Sequence, residues 1–495
     1  PKHDNGSVDK ISHSLPKKIQ IAVIGSGAGG GIAAHTLSKK YDVAVFDKAS
    51  YLNKDTNNET FGYHNFFEHY GLSATRGFGI QLLTGKSIGG GTSINWQTSL
   101  ETPTEILNEW DELTKQQDYF NSAAFKESIK HVVDNLGVTT DFNHIPLKEE
   151  KLAEGFDKNN IGYRVIPKNN QSNHGMECGF CAFGCGYESR NSSFKAWLAN
   201  DDFSGDIYSD TNIQKIIINN NKATHIEVEN NGNVSRVEVE RVILAGGSLN
   251  TPTILLNSGY KNPQLGENLK THPVSGVAAK FNEEQKPWYG SMQGMHSEDF
   301  LFKTNNYGYL LQGLPMHPSI FFPYFPNFVS SAEDFIESYN HWSGAIVLTS
   351  DTSSGSLIKK GPLWKYKLNN FDSNHLLDGL TQLVRSYYLA GAEEIMVSSS
   401  PTMHWKKSKN DDIEKFLNKI LSIKNQPYRL LLGSAHQMGT ARINPNPEHG
   451  VVDLNGKVHG LENVYIVDAS TFPRCSGVNP MISIQSMSHF LMSNV

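Results

Sequence analysis

Four cysteines in 495 residues are too few for a disulfide framework. No apolar run approaches the roughly 18 residues that a membrane span needs. The net charge of −6 carries no excess of basic residues, which argues against nucleic acid or an acidic membrane surface as a partner. Residues 1–18 are polar and lack the apolar core of a signal peptide. That points to the cytoplasm, with a targeting segment upstream of residue 1 left open. There is no internal repeat and no long low-complexity tract. What is present is ordinary for a soluble globular chain: 38% hydrophobic and 19% charged residues. The length calls for two domains, or one domain with large insertions.

Near the amino terminus, residues 19–24 (Ile-Gln-Ile-Ala-Val-Ile) read as a buried strand. The strand runs into Gly25-Ser26-Gly27-Ala28-Gly29-Gly30, a GxGxxG, and then into a helical segment over 32–39. A second strand over 43–46 ends in Asp47, 22 positions beyond Gly25. Glycines here let backbone approach a pyrophosphate, the helix N-terminus supplies partial positive charge, and an acid at this distance holds a ribose hydroxyl pair. Strand, glycines, helix, strand and acid in that order predict a dinucleotide-binding fold.

A second glycine-rich stretch, Gly89-Gly90-Gly91-Thr92-Ser93-Ile94-Asn95-Trp96, implies close approach of backbone to something flat or phosphorylated. Residues 101–135 are rich in helix formers. Cys178, Cys181 and Cys185 form a C-x2-C-x3-C, which reads either as ligands of an iron–sulfur cluster or as three buried small residues. His174 could add a fourth ligand for zinc. Residues 190–198 read as a capped helix start. Three strands follow over 207–218, 224–229 and 234–245, the last running into Gly246-Gly247-Ser248. In the middle of the chain, the proline-broken apolar run 320–328 reads as a pocket wall or as a loop folded onto a sheet, 344–351 and 363–368 as strands, and 374–391 as a helix with one buried face. His404 and Trp405 could reach a pocket.

Near the carboxyl end the chain offers one histidine and one asparagine among glycines: His436 in His-Gln-Met-Gly-Thr and Asn479 in Ser-Gly-Val-Asn-Pro. Between them stands Val467-Asp468-Ala469-Ser470. A neutral imidazole is the usual proton acceptor near neutral pH, and an amide beside it could fix the oxygen that gives the proton up.

These segments together resemble the glucose-methanol-choline (GMC) family of flavin oxidoreductases, in motif style the long-chain alcohol oxidase-like branch. The carriers are the first GxGxxG, Gly90-Gly91-Thr92-Ser93-Ile94-Asn95, the segment Gly247-Ser248-Leu249-Asn250-Thr251-Pro252, Asn268-Leu269 with His272-Pro273, and the HQMGT and SGVNP motifs. The resemblance spans residues 19–487. It implies an α/β fold with a discontinuous, Rossmann-like FAD domain of the two-dinucleotide type (1–100, 174–275 and 426–495). An inserted α+β substrate domain takes 101–173 and 276–425. It implies FAD contacts from Gly25, Gly27, Gly30, Asp47, Gly90, Gly91, Thr92, Asn95, Asp468, Ala469 and Asn479. It implies oxidation of an alcohol to a carbonyl, with His436 as base, Asn479 positioning the hydroxyl and hydride passing to flavin N5. Ile94 stands where some members carry the histidine that bonds flavin covalently, so noncovalent FAD is expected. His272 reads as a structural or turn-capping residue. A differently spaced cysteine set holds an iron–sulfur cluster in sugar-dehydrogenase relatives, so a cluster here is the lesser reading. A hydroxynitrile-lyase-like reaction with FAD as scaffold, or an electron-relay subunit using the three cysteines, are the alternatives. The expected partners are a small alcohol and an electron acceptor, dioxygen or a redox protein.

Overall fold

Residues 19–24 are apolar at all but one position because their strand lies in the middle of a parallel sheet covered on both faces. The computed structural model describes residues 10–12, 14–52, 58–172, 177–230, 232–321, 332–358, 363–423 and 428–495.

The main elements in chain order begin with strand β1 (Lys18–Ile24), helix α1 (Ala28–Ser38) and strand β2 (Val43–Phe46). Helices α2 (Thr104–Thr114), α3 (Ala123–Leu136) and α4 (Leu147–Lys158) follow. Then come β3 (Asp206–Tyr208), β4 (Asn212–Asn219), β5 (Lys222–Asn230), β6 (Asn233–Leu244) and helix α5 (Gly247–Asn257). The next stretch holds β7 (Val274–Lys280), β8 (Met295–Ser297), β9 (Tyr309–Gly313), β10 (Trp342–Thr349), α6 (Asn370–Leu389), β11 (Glu394–Val397) and β12 (Met403–Lys406). The chain closes with β13 (Val464–Ile466) and α7 (Met481–Met492).

Two sheets organise these elements. The first runs β3-β2-β1-β6-β5-β4, with β13 also beside β6. Strand β6 serves both halves: residues 233–238 pair antiparallel with β5, and residues 238–244 pair parallel with β1. The apolar run of β6 therefore begins only at Val242, where it enters the parallel core beside Val464–Ile466. The second sheet is mixed in its edges and antiparallel at its centre, in the order β12-β11-β7-β10-β9-β8. Helix α6 covers it with Leu376, Leu377, Leu380, Leu383, Val384 and Tyr387, all buried. Asn369 caps that helix by accepting the Asp372 N–H at 2.8 Å.

Several sequence expectations need adjusting. The strand expected over 207–218 is two: β3 joins β2 at the far edge, a turn with Asp210 at φ 55° intervenes, and β4 joins β5. Residues 194–198 form one short π turn rather than the start of a longer helix. The 363–368 strand is a small hairpin of 363–365 with 356–358. Helices α2 and α3 lie within 101–173, the span expected in the second unit. Their buried side chains Trp110, Phe125 and Val132 instead join the core of the first sheet, packed near Phe472 and Phe490 of the carboxyl-terminal stretch. Among the described residues, no helix is long and apolar enough to cross a membrane.

Candidate active site

The turn from β1 into α1 sets one wall of a cavity of about 560 Å³ between the two sheets. Helix α1 begins at Ala28 with no side-chain cap, so its first N–H groups face the cavity that Gly27, Ala28 and Gly29 line. Gly30 does not line the cavity. It lets α1 seat on the strand end, where a β carbon would stand 1.8 Å from the Gly25 carbonyl oxygen.

The second glycine stretch meets the first directly. Gly90 has φ +56°, and a β carbon there would lie 2.7 Å from the Gly27 α carbon. Polar links hold the two stretches together. Gly89 N–H donates to Ser26 Oγ at 2.9 Å. Ser193 N–H donates to Thr92 Oγ1 at 2.8 Å, while that hydroxyl donates to the Gly89 carbonyl at 2.6 Å. Gly91 has nothing within 4 Å of where its β carbon would be, and it lines the cavity.

Asp47 stands at the end of β2 on the cavity wall. Its carboxylate accepts the Ser26 N–H at 2.8 Å, the Ser26 O–H at 2.5 Å and the Ala49 N–H at 2.9 Å. Burial pushes this carboxyl upward, and those hydrogen bonds oppose the push. Asp468 plays a similar part from the other end of the chain. It accepts Gly247 N–H at 2.9 Å and Thr251 O–H at 2.5 Å on one oxygen and Ser470 N–H at 2.9 Å on the other. It thereby ties the first turn of α5 to the carboxyl-terminal stretch, and burial raises it too. Asn95 contacts Met481 Sδ through Nδ2, and its Oδ1 accepts the Gln97 N–H.

His436 and Asn479 line this same cavity with Ala469. His436 follows the two-residue strand 433–434, which pairs with β7 and with residues 81–82. Its N–H donates to Ser434 Oγ at 3.2 Å. Burial pushes the imidazole down to about 3. Asn479 precedes α7, and its Oδ1 accepts Gln312 Nε2–H at 2.8 Å. Gln312 in turn accepts from Gln293 Nε2 at 3.2 Å, and Gln293 accepts Thr98 O–H at 2.7 Å. The apolar part of the wall comes from Phe67, Leu83, Ile320, Phe321, Ile346 and Leu348.

Sequence reading missed Gln312, Gln293 and Thr98. The available signal was a glutamine in the otherwise apolar strand Tyr309–Gly313. His272 lies outside the cavity lining but touches His436, with Nδ1 to Nδ1 at 3.4 Å. The run 320–328 contributes Ile320 and Phe321, and its remaining residues lie outside the described residues, as does His174. His404 pairs with Glu394 at 2.8 Å and does not line the cavity. Trp405 is buried in the second core.

The three cysteines are free thiols beside the cavity rather than on it. Burial raises Cys178 to about 11. Burial also opposes ionisation of Cys185, but the charge of Arg190 together with hydrogen bonds from Arg190, Ser189 and Tyr187 outweighs it, so that thiol is lowered. Cys181 Sγ accepts from Gln97 Nε2 at 3.6 Å. Among the described residues, their sulfurs do not converge as a common set of metal ligands.

A glycine turn at an uncapped helix N-terminus, an acid at the end of the next strand and an open glycine wall beside it fit a dinucleotide: anion donors for the pyrophosphate, an acceptor for a ribose and flat backbone for a ring system. The fold and the cavity thus define a dinucleotide-binding protein of the two-sheet type. Models of the GMC oxidoreductase family match residues 63–274 and 343–488. The long-chain-alcohol oxidase FAO4A of Arabidopsis thaliana is 30% identical over 523 residues, covering 100% of this chain and 70% of that protein. The long-chain-alcohol oxidase FAO3 of the same plant is 27% identical, covering 99% of this chain and 69% of its own length. Among solved structures, pyridoxine 4-oxidase from Mesorbium loti superposes with a TM-score of 0.69 at 14% identity, covering 96% of this chain and 99% of that one. Formate oxidase gives a TM-score of 0.68 at 15% identity, covering 97% and 98%. The chain belongs to the GMC oxidoreductase family. It is an FAD-dependent alcohol oxidoreductase.

Proposed function

We propose that this enzyme oxidises a long-chain primary alcohol to the aldehyde, with His436 as the base and Asn479 as the group that holds the hydroxyl oxygen. The observation that carries the reading is the placement of His436 and Asn479 on one cavity with an aliphatic and aromatic wall. Such a wall suits an alkyl chain better than a polyol, which would leave its hydroxyls unpaired. The names of the two plant relatives point the same way. In this reading the first sheet's unit holds the cofactor through the glycines, Asp47 and Asp468, and the second sheet's unit supplies the substrate wall.

The residues divide the work as follows. An alcohol carbon gives up its hydrogen with the bonding pair only once the hydroxyl proton is leaving. His436 takes that proton at Nε2. Burial holds its imidazole neutral, so the lone pair is present throughout the working pH range. Gln312 occupies Asn479 Oδ1, which leaves the Nδ2 amide hydrogens as donors to the developing alkoxide. Held by the glycine turns, Asp47 and Asp468, FAD would supply the two-electron acceptor for the hydrogen of the carbinol carbon, and dioxygen would be the oxidant that restores it. The apolar wall keeps water from the alkoxide.

Two outcomes follow. Replacing Asn479 with Ala removes the donor and is expected to lower kcat by about 10²–10³, the loss typical of one missing oxyanion donor, with little change in bound flavin. Stopped-flow reduction measures it. Because the His436 pKa is lowered, its base form persists as pH falls. The acid limb of kcat/KM is therefore expected well below the ordinary histidine value of about 6.5. An acid limb centred near 6.5 in the pH–rate profile counts against His436 as the base in this environment.

The test of the function is anaerobic reduction of the purified flavoprotein by straight-chain alcohols of increasing length. Bleaching that strengthens with chain length, and hydrogen peroxide on re-aeration, support the reading. A flavin that no alcohol bleaches supports the lyase reaction instead. Bleaching without peroxide assigns the electrons to a redox protein.

A further inference from the structure

Behind His436 stands His272, fully buried and held in a conformation that few histidines adopt. Its φ is +45°, in the left-handed region, where a non-glycine residue is strained. The strain is held by Asp351. That carboxylate accepts the Thr271 N–H at 3.0 Å and the His272 N–H at 3.2 Å, and also the Tyr366 O–H at 2.6 Å. The result is a single contact: His272 Nδ1 lies 3.4 Å from His436 Nδ1, with the rings crossed at 85°. Its other ring nitrogen, Nε2, is buried without a hydrogen-bond partner.

A contact between two Nδ1 atoms holds one proton. If His272 donates it, His436 carries its own proton on Nε2 and has no lone pair toward the cavity. If His436 donates it, Nε2 of His436 is bare and can act as a base. The tautomer of an imidazole is set by the hydrogen bond of its other nitrogen. The second arrangement also serves the charged state: once His436 is protonated, its Nδ1–H already has an acceptor, and the carboxylate of Asp351 lies close behind. A ring nitrogen of His272, an Asp351 oxygen and Cys475 Sγ all lie within 4.8 Å of one another.

We propose that His272 is a positioning residue: its Nδ1 accepts the Nδ1 proton of His436 and fixes the base in the tautomer whose Nε2 lone pair faces the cavity, while Asp351 holds His272 in place. The inference rests on the reading of His436 as the base. It assigns no direct contact between His272 and the alcohol.

The experiment compares His272→Asn with His272→Gly. Both residues tolerate a positive φ, so both variants keep the backbone. Only asparagine offers an oxygen near the position of Nδ1. In the flavin-loaded enzyme, His272→Asn is expected within about tenfold of the parent kcat. His272→Gly is expected to lose ~10²-fold or more in kcat with KM unchanged, as a base left in the wrong tautomer does. Equal kcat in the two variants, both flavin-loaded, would overturn the proposal. A second measurement does not depend on either variant folding. In the ¹⁵N-histidine spectrum of the parent enzyme, the resonances missing from His436→Gln are expected to show Nδ1 protonated and Nε2 bare. The reverse pattern rejects the assignment. So does one equivalent of zinc or copper that leaves with a chelator. A metal on His272 Nε2 would force the proton onto its Nδ1 and so onto the wrong side of the contact. His436→Gln that retains full turnover rejects the base itself, a separate failure from any result at His272.

Discussion

His436→Ala is expected to lower kcat for alcohol oxidation by about 10³, within the 10²–10⁴ that a positioned general base contributes. The imidazole is half-buried on the cavity wall, and among the described residues the polar partner of its ring is His272. A water molecule entering the space left by the truncation is a far weaker proton acceptor. The backbone there is held independently of the ring: Lys270 and Met438 exchange hydrogen bonds at 2.9 Å, and Ser434 O–H reaches the Thr271 carbonyl. The flavin spectrum and thermal midpoint should therefore match the parent, which separates a lost base from a lost fold. Rapid-mixing reduction with a saturating alcohol makes the comparison. Loss of less than tenfold would assign the proton elsewhere. Raising pH should partly restore the variant, because the alcohol then ionises without help.

Gly90→Val is expected to yield protein without flavin. A β carbon at Gly90 would stand 2.7 Å from the Gly27 α carbon, backbone that cannot move without moving the turn after β1. The φ of +56° adds a strain of about 1–3 kcal/mol for a β-branched residue. Together these push apart the two glycine stretches that line the cavity. Gly91→Ala is the paired control. Its β carbon would meet nothing within 4 Å, so the fold should hold while a methyl group is added at a position on the cavity wall. The ratio of visible to ultraviolet absorbance is expected near zero for Gly90→Val and reduced but restorable with added FAD for Gly91→Ala. Because bound cofactor stabilises the fold by mass action, the thermal midpoint should follow the same order.

The parts that could be read from the sequence were those carried by consecutive residues. Gly25 to Asp47 is one strand, turn, helix and strand, and its chemistry is local. The HQMGT and SGVNP segments likewise announce themselves. The helix over 370–389 was legible because its leucines repeat at helical spacing on one buried face. What escaped was set by distant pairing. Helices α2 and α3 present an apolar face that fits either unit, and only packing beside Phe472 and Phe490 assigns them. The Thr98–Gln293–Gln312–Asn479 chain joins four segments that share no sequence pattern. His272 reads locally as a structural or turn-capping residue, and its backbone holds a φ of +45°. Its contact with His436 spans 164 positions and leaves no periodic trace.

The interleaving of β1 with late strands has a consequence for synthesis. Strand β6, the parallel neighbour of β1, arrives some 200 residues after it, and β13 and α7 come more than 400 residues after it. Ser488 O–H donates to the Gly29 carbonyl at 2.7 Å, and a β carbon on Gly29 would meet the Val467 carbonyl oxygen at 2.1 Å. At about 5–20 residues per second, the nascent chain waits roughly 20–90 s between making Gly25 and making Asp468. For that interval an apolar strand and a half-built cradle stand on the ribosome without their partners. Cofactor capture at this cavity therefore waits for the stretch around Asp468, and FAD can stabilise by mass action only chains in which that stretch has met the early glycine turn.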